Sequence, residues 1–204
     1  ILTPGEMYEL SGYVDDVIFP TGALVNKDVL TIYYGAADTT TCLARVNLND
    51  LLSTMNPKIS EDYKFIRFEK NPILVPIENH SWENKAVFNP AAIYLAKKVH
   101  LLYRAFSNEN TSTFGYASSI DGFNIDLRLT KPIYVPREDF EMKKNSNGNS
   151  GCEDPRLTKI GKNLYVLYTA YDSINPPRVA VSSITEKDFL AHKWNWTKPI
   201  LITP

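Results

Sequence analysis

The sequence predicts an all-β protein built from three copies of one sheet unit, and three observations carry that prediction. A strand–turn–strand segment recurs three times. Two further strand-like runs follow each copy. Sustained apolar spacing of the helical kind is nearly absent, surfacing only weakly around Leu48–Leu52.

The first unit opens with "VIFPTGALVNKDVLTIYYGAAD" (17–38), the second with "AVFNPAAIYLAKKVHLLYRAFS" (86–107) and the third with "CEDPRLTKIGKNLYVLYTAYD" (152–172). In each, a strand-like run leads to a turn marked by Asn, Lys or Gly, where a left-handed backbone is tolerated. A second strand then ends in Y-x-A-x-[SD]. This places Tyr34, Tyr103 and Tyr168 in one slot, and Asp38, Ser107 and Asp172 in another. Third strands follow at "TCLARV", "TFGYASS" and "PRVAVSS". Fourth strands are expected at "NPILVP" (71–76), "KPIYVP" (131–136) and "KPILITP" (198–204). Four alternating strands per unit match the blades of a β-propeller. Three blades do not close a ring, so missing blades complete it or the open ends pair with another copy as a homo-oligomer.

Composition narrows the partners. The 204 residues carry 22 basic and 23 acidic side chains, a net charge of −1, mixed along the chain. No basic patch invites nucleic acid, and no apolar run reaches membrane-spanning length. A small molecule is the expected ligand. Cys42 and Cys152 form neither a disulfide framework nor a metal spacing, and His80, His100 and His192 are isolated; no metal is expected, and a cytoplasmic setting is. Tyr contributes 12 residues, most of them explained by sheet packing.

Chemistry is expected where inner strands face the axis. The repeats bring Phe19-Pro20, Asn89-Pro90 and Asp154-Pro155 to equivalent strand entrances, each residue stiffened by the proline after it. Only the third bears an acid. Asp154 either pairs with Arg156 in an ordinary turn, as Glu153 also can, or serves as a desolvated general acid behind the polar loop "MKKNSNGNS" acting as a lid. Arg104 either clamps a carboxylate, phosphate or sugar, or pairs with a loop acid. Arg178 begins a strand that faces the same funnel. Glu9, Asp15 and Asp16 form an acidic loop of which one or two members act. Trp82 either stacks on a sugar or packs between blades.

With those residues in view, "FNPAAIY", "STFGYASSIDGF", "GCEDPRLTKIG", "YTAYD" and "YYGAAD" resemble glycoside hydrolase family 130, the β-mannoside phosphorylases and related β-mannosidases. The resemblance implies a five-bladed β-propeller of the glycosidase type, with about three blades here. Residues 1–57 resemble the family's C-terminal blade and residues 58–204 its N-terminal half, an order reversed from the family's, and the family's middle would follow Pro204. It implies inverting phosphorolysis of β-mannosides to mannose 1-phosphate, with hydrolysis or simple sugar binding as alternatives. Asp154 matches the general acid, thought to protonate the leaving oxygen through the mannose 3-hydroxyl. Asn89, Arg104 and Asp38 match positions at the mannosyl unit, Glu9 an acid of the acceptor region, and Tyr103 and Tyr171 the pocket lining. No cofactor is implied; inorganic phosphate is the co-substrate.

Overall fold

A computed structural model describes residues 2–54 and 64–203. The expected boundary at residues 57–58 and the terminal Pro204 lie outside the described residues. The first sheet is antiparallel and four-stranded, ordered β1 (Ile18–Asn26), β2 (Val29–Ala36), β3 (Thr40–Asn47) and β4 (Ile66–Arg67). The second unit comprises β5 (Ala86–Leu95), β6 (Lys98–Phe106), β7 (Thr111–Ser119) and β8 (Leu127–Arg128). The third comprises β9 (Ser150–Ile160), β10 (Asn163–Tyr171), β11 (Arg178–Thr185) and β12 (Ile200–Leu201). Both run antiparallel internally, and a short parallel pairing of β7 with β9 at Thr111–Ser150 and Ser112–Gly151 joins them into one eight-stranded sheet.

The hairpin turns follow from their residues. Lys27, the pair Ala96 and Lys97, and Gly161 all adopt positive φ, the twist that lets a tight turn join antiparallel strands. Short helices fill the connections: α1 (Met7–Leu10), α2 (Leu48–Ser53) and α3 (Glu186–Leu190). Asn47 caps α2 by accepting from Asn49 and Asp50 backbone amides, and Thr185 caps α3. Among the described residues, no helix is long and apolar enough to cross a membrane.

The fourth strands are shorter than expected. Two-residue strands pair with β3 and β7 before the expected segments, while 71–76 and 131–136 contribute only the isolated bridges Thr41–Leu74 and Phe114–Tyr134. Pro72, Pro76, Pro132 and Pro136 supply no amide donor, so a ladder cannot extend through these segments.

Alternation along the strands decides the packing. In β10, Leu164, Val166, Tyr168 and Ala170 are buried, while Tyr165, Leu167, Thr169 and Tyr171 are only half-buried on the other face. The buried set packs against Ala91, Leu102, Phe114 and Tyr116 of the second unit. Tyr33 and Leu43 pack likewise against Val87, Val99, Leu101 and Tyr103, joining the first unit to the second. Each such large side chain contributes about 1.5–3 kcal/mol on leaving water. These two seams bring β1, β5 and β9 near one another, and with them the start of each unit.

Candidate active site

Each innermost strand carries an irregularity at the same slot. The register shifts between Pro20 and Gly22 in β1, between Phe88 and Ala91 in β5, and opposite Leu167–Thr169 in β9. The entrances expected at Asn89 and Asp154 are therefore bulges inside strands, opposite Tyr103 and Tyr168. At the bulge, Asn89 (φ 49°) and Asp154 (φ 53°) are left-handed. Asn and Asp tolerate that conformation better than other side-chain-bearing residues, and a bulge re-aims the side chain out of the sheet's alternation. The prolines after them cost no ladder bond, because the bulge has already broken the ladder.

The two re-aimed side chains meet. Asn89 Nδ2 donates to Asp154 Oδ1 at 2.9 Å. Arg104 Nη1 reaches the same oxygen at 3.2 Å, Arg104 Nη2 donates to Glu153 Oε1 at 2.8 Å, and Arg104 Nε donates to Ser112 Oγ at 3.0 Å. The guanidinium lies over the Phe88 ring, 4.9 Å from its centroid, which fixes its plane. Gly151 makes the approach of β9 feasible: it sits at φ 114°, and any Cβ there would collide with the Ser112 carbonyl. Gly35 similarly leaves room for Asn89, whose Oδ1 is buried with no hydrogen-bond partner among the described residues.

Electrostatically, three carboxyls share one guanidinium. Desolvation raises Asp38 above the ordinary aspartate range; Arg104 opposes the rise and Asp154 adds to it. Burial raises Glu153 as well, with the same opposition from Arg104 and the same addition from Asp154. For Asp38 and Glu153, burial and the neighbouring negative charge together favour the protonated form. Asp172, in the slot equivalent to Asp38, behaves oppositely. Burial raises it, but Lys144 Nζ at 2.8 Å, Asn175 Nδ2 at 2.6 Å and the amides of Ile174 and Asn175 outweigh burial and hold it low.

The structure thus brings Asp154, Asn89, Arg104 and Asp38 together and sends other expected site residues elsewhere. Glu9 is fully buried, accepting from Tyr34 Oη at 2.8 Å, Arg67 Nε at 2.7 Å, Arg67 Nη2 at 2.8 Å and the amides of Gly5 and Glu6. With its acceptor sites occupied it is a strut, not an acceptor-region acid. Tyr103 is buried too, and its hydroxyl is engaged elsewhere, donating to Glu83 Oε2 at 2.9 Å and accepting from Arg128 Nε at 3.2 Å. Arg178 lies over Phe140, 5.9 Å from its centroid, because its partner in the ladder, Ala170, is on the buried face. Tyr171 occupies the face of β10 shared with Thr169, whose cross-strand neighbour is Glu153.

Three further alternatives are resolved. Arg156 stacks over Phe19 at 5.7 Å, and Glu153 pairs with Arg104 instead. Trp82 packs, donating Nε1 to Thr130 O and stacking between His80 and Tyr103. The loop "MKKNSNGNS" is pinned: the amides of Lys144 and Asn145 donate to Ser173 Oγ, and Lys144 pairs with Asp172. It is a wall, not a lid. Among the described residues, no cluster of three or more His, Cys, Asp or Glu is arranged to hold a metal. A cavity of 570 Å³ opens at the opposite, hairpin ends of the strands, between Leu24, Tyr33, Arg45, Tyr94 and Phe123.

A sequence feature that the repeat reading missed is an aromatic residue followed by Glu before each inner strand: Tyr8-Glu9, Trp82-Glu83 and Phe140-Glu141. Each Glu is fully buried and accepts from the tyrosine of its unit's second strand, namely Tyr34, Tyr103 and Tyr168. An arginine completes each group. The Arg67 and Arg128 guanidinium groups bond their glutamates directly, whereas that of Arg137 donates to Tyr134, which donates to Glu141, and the Arg137 backbone amide donates to Glu141 itself.

Comparison with known proteins bears on this geometry. A family model described as beta-1,4-mannooligosaccharide phosphorylase matches residues 1–57 and 63–199. A beta-1,2-mannobiose phosphorylase of Thermoanaerobacter sp. (strain X514) is 41% identical over 125 residues, covering 53% of this chain and 38% of that protein. A 1,2-beta-oligomannan phosphorylase of the same organism is 37% identical over 115 residues, covering 53% and 36%. The chain thus spans less than half the length of these curated relatives. In fold, an alpha-L-arabinofuranosidase from Lactobacillus brevis superposes with a TM-score of 0.63 at 14% identity, covering 94% of this chain and 57% of that one.

Proposed function

The chain belongs to glycoside hydrolase family 130, the beta-1,4-mannooligosaccharide phosphorylases, and from that premise we propose that it acts in the phosphorolysis of terminal β-mannosides to mannose 1-phosphate. The observation that carries the proposal is the pair of left-handed bulge residues, Asn89 and Asp154, joined to each other and to Arg104. Both relatives reported above are named as phosphorylases of β-mannosides, which favours phosphate over water as the attacking group.

In the proposed reaction, Asp154 gives up a proton that passes through the 3-hydroxyl of the mannosyl unit to the glycosidic oxygen. The bond from C1 to that oxygen breaks, and a phosphate oxygen attacks C1 from the opposite face with inversion. Asn89 holds Asp154 in position. Arg104 carries positive charge between Asp154 and Glu153 and gives phosphate or sugar hydroxyls a donor. Asp38 accepts from the sugar and, with Glu153, keeps the group rich in protons. Tyr171 borders the mannosyl unit from β10. Phosphate is the only co-substrate.

The three units are read as blades of a five-bladed propeller, residues 1–57 giving the first and 58–204 the others. Further blades or a second copy complete the ring. A reducing, cytoplasmic setting accords with two buried free cysteines. Incubation with β-mannobiose with and without phosphate tests the reaction. Mannose 1-phosphate formed only with phosphate supports it, and free mannose released regardless of phosphate assigns a hydrolase instead.

A further inference from the structure

Tyr13 is an exposed aromatic side chain on the rim of the carboxyl group, and its backbone is fixed. The Tyr13 amide donates to Thr39 Oγ1 at 2.9 Å and the Val14 amide to Ala37 O at 3.1 Å, so the loop is tied on both sides of Asp38. Gly12 permits that contact, since a Cβ there would stand 2.5 Å from both Ala37 O and Thr39 Oγ1. The Tyr13 ring, 48% exposed, meets the buried Phe106 ring edge-on with centroids 5.7 Å apart. Arg104 lies 5.6 Å from that same Phe106 centroid. One ring therefore separates Tyr13 from the arginine that holds Asp154.

Lys85 completes the arrangement. Its Nζ stands 4.6 Å from the centroids of both Tyr13 and Phe106 and donates to Asn110 Oδ1 at 2.6 Å. No carboxylate pairs with it among the described residues. An ammonium has three protons to donate, and Asn110 takes one. Two rings hold the cation in place without neutralising it.

We propose that Tyr13 and Lys85 form the subsite for the leaving sugar of a β-mannoside, the ring stacking on the sugar's apolar face and the ammonium donating to its hydroxyls. The inference rests on the mannoside reading above and adds where the second sugar lies. An aromatic face beside a single cation suits a sugar, which offers both an apolar face and scattered hydroxyls. Phosphate calls for several donors converging on one small anion, and Lys85 and the ring it overlies do not provide them.

Calorimetric titration of the intact protein in phosphate-free buffer tests the assignment, since no phosphorolysis can proceed there. β-Mannobiose is expected to bind more tightly than mannose. Tyr13→Ala and Lys85→Gln should each weaken β-mannobiose about tenfold, leave mannose unchanged within error, and keep the wild-type melting temperature. Tyr13→Phe should retain the affinity. Unaltered β-mannobiose binding in both Tyr13→Ala and Lys85→Gln overturns the subsite while leaving the mannoside reading intact. Loss of inorganic phosphate binding in Lys85→Gln, with β-mannobiose unaffected, overturns it in favour of an anion site. Failure of the wild-type protein to bind either sugar removes the mannoside reading, and the subsite with it.

Discussion

Two sets of carboxyl groups occupy this molecule, and they are wired in opposite ways. Glu9, Glu83 and Glu141 are fully buried, and each is met by a tyrosine hydroxyl and by arginine, backbone or histidine donors. Asp38, Glu153 and Asp154 share Arg104 among them, and desolvation outweighs its help for the first two. A carboxylate saturated with donors is fixed in place, which suits structure. A carboxyl short of donors beside a single cation can hold or release a proton, which suits chemistry. Burial alone does not separate the two sets; the donor supply does.

Substitutions in the two sets should therefore fail differently. The largest effect is expected from Asp154→Asn, which should lower kcat/KM about a thousandfold or more by removing the acid. Its urea midpoint should stay near that of the wild type; near-normal turnover would strip Asp154 of its role. Glu83→Ala should do the reverse. It leaves Arg128 without its partner in a buried setting, at a cost of about 3–5 kcal/mol in chemical denaturation. If Glu83→Ala proves as stable as wild type, the strut reading of the buried glutamates falls. Arg104→Lys lies between them. A point charge cannot span Glu153, Asp154 and Ser112 as the planar fork does, so kcat/KM should drop about a hundredfold. A drop of less than threefold would mean that the fork geometry is immaterial.

How much of this the sequence revealed depends on the range of the signal. Alternation and the closing Y-x-A-x-[SD] motif are local, and they exposed the repeat, its second strands and the equivalence of Asn89 with Asp154. The slot shared by Tyr34, Tyr103 and Tyr168 is legible too, yet only the family resemblance places Tyr103 in the pocket, and alternation offers no check on it. Period-2 alternation tells which residues share a face but not which face meets the next sheet. The struts were harder to see. Two residues separate Glu83 from β5, whereas eight separate Glu9 from β1 and Glu141 from β9, which breaks the register a repeat comparison relies on. Glu9 consequently read as a site acid. Arg104's partners, Glu153 and Ser112, come from another unit and from a neighbouring strand, pairings that no local pattern encodes.

The smallest expected effect separates the two sets most cleanly, because their linkage to pH has opposite sign. Burial pushes Glu9 up, but Arg67 and the Gly5 and Glu6 amides outweigh it, and its folded pKa falls below the ordinary value. Glu9 then contributes stability that is present at neutral pH and lost as pH drops below about 4.3, the unfolded value, through its folded pKa. Asp38 is raised, so its ionised form costs stability at neutral pH, and the cost fades as pH falls through the raised folded value. Asp38→Asn should accordingly stabilise the protein at pH 7 by about 1 kcal/mol while weakening sugar binding, the usual trade of a functional site. Its advantage should shrink towards pH 4. Glu9→Gln should destabilise at pH 7 and approach the wild type in acid. Urea midpoints of the two variants at both pH values decide the matter: an Asp38→Asn protein less stable than wild type at pH 7 would place Asp38 with the struts.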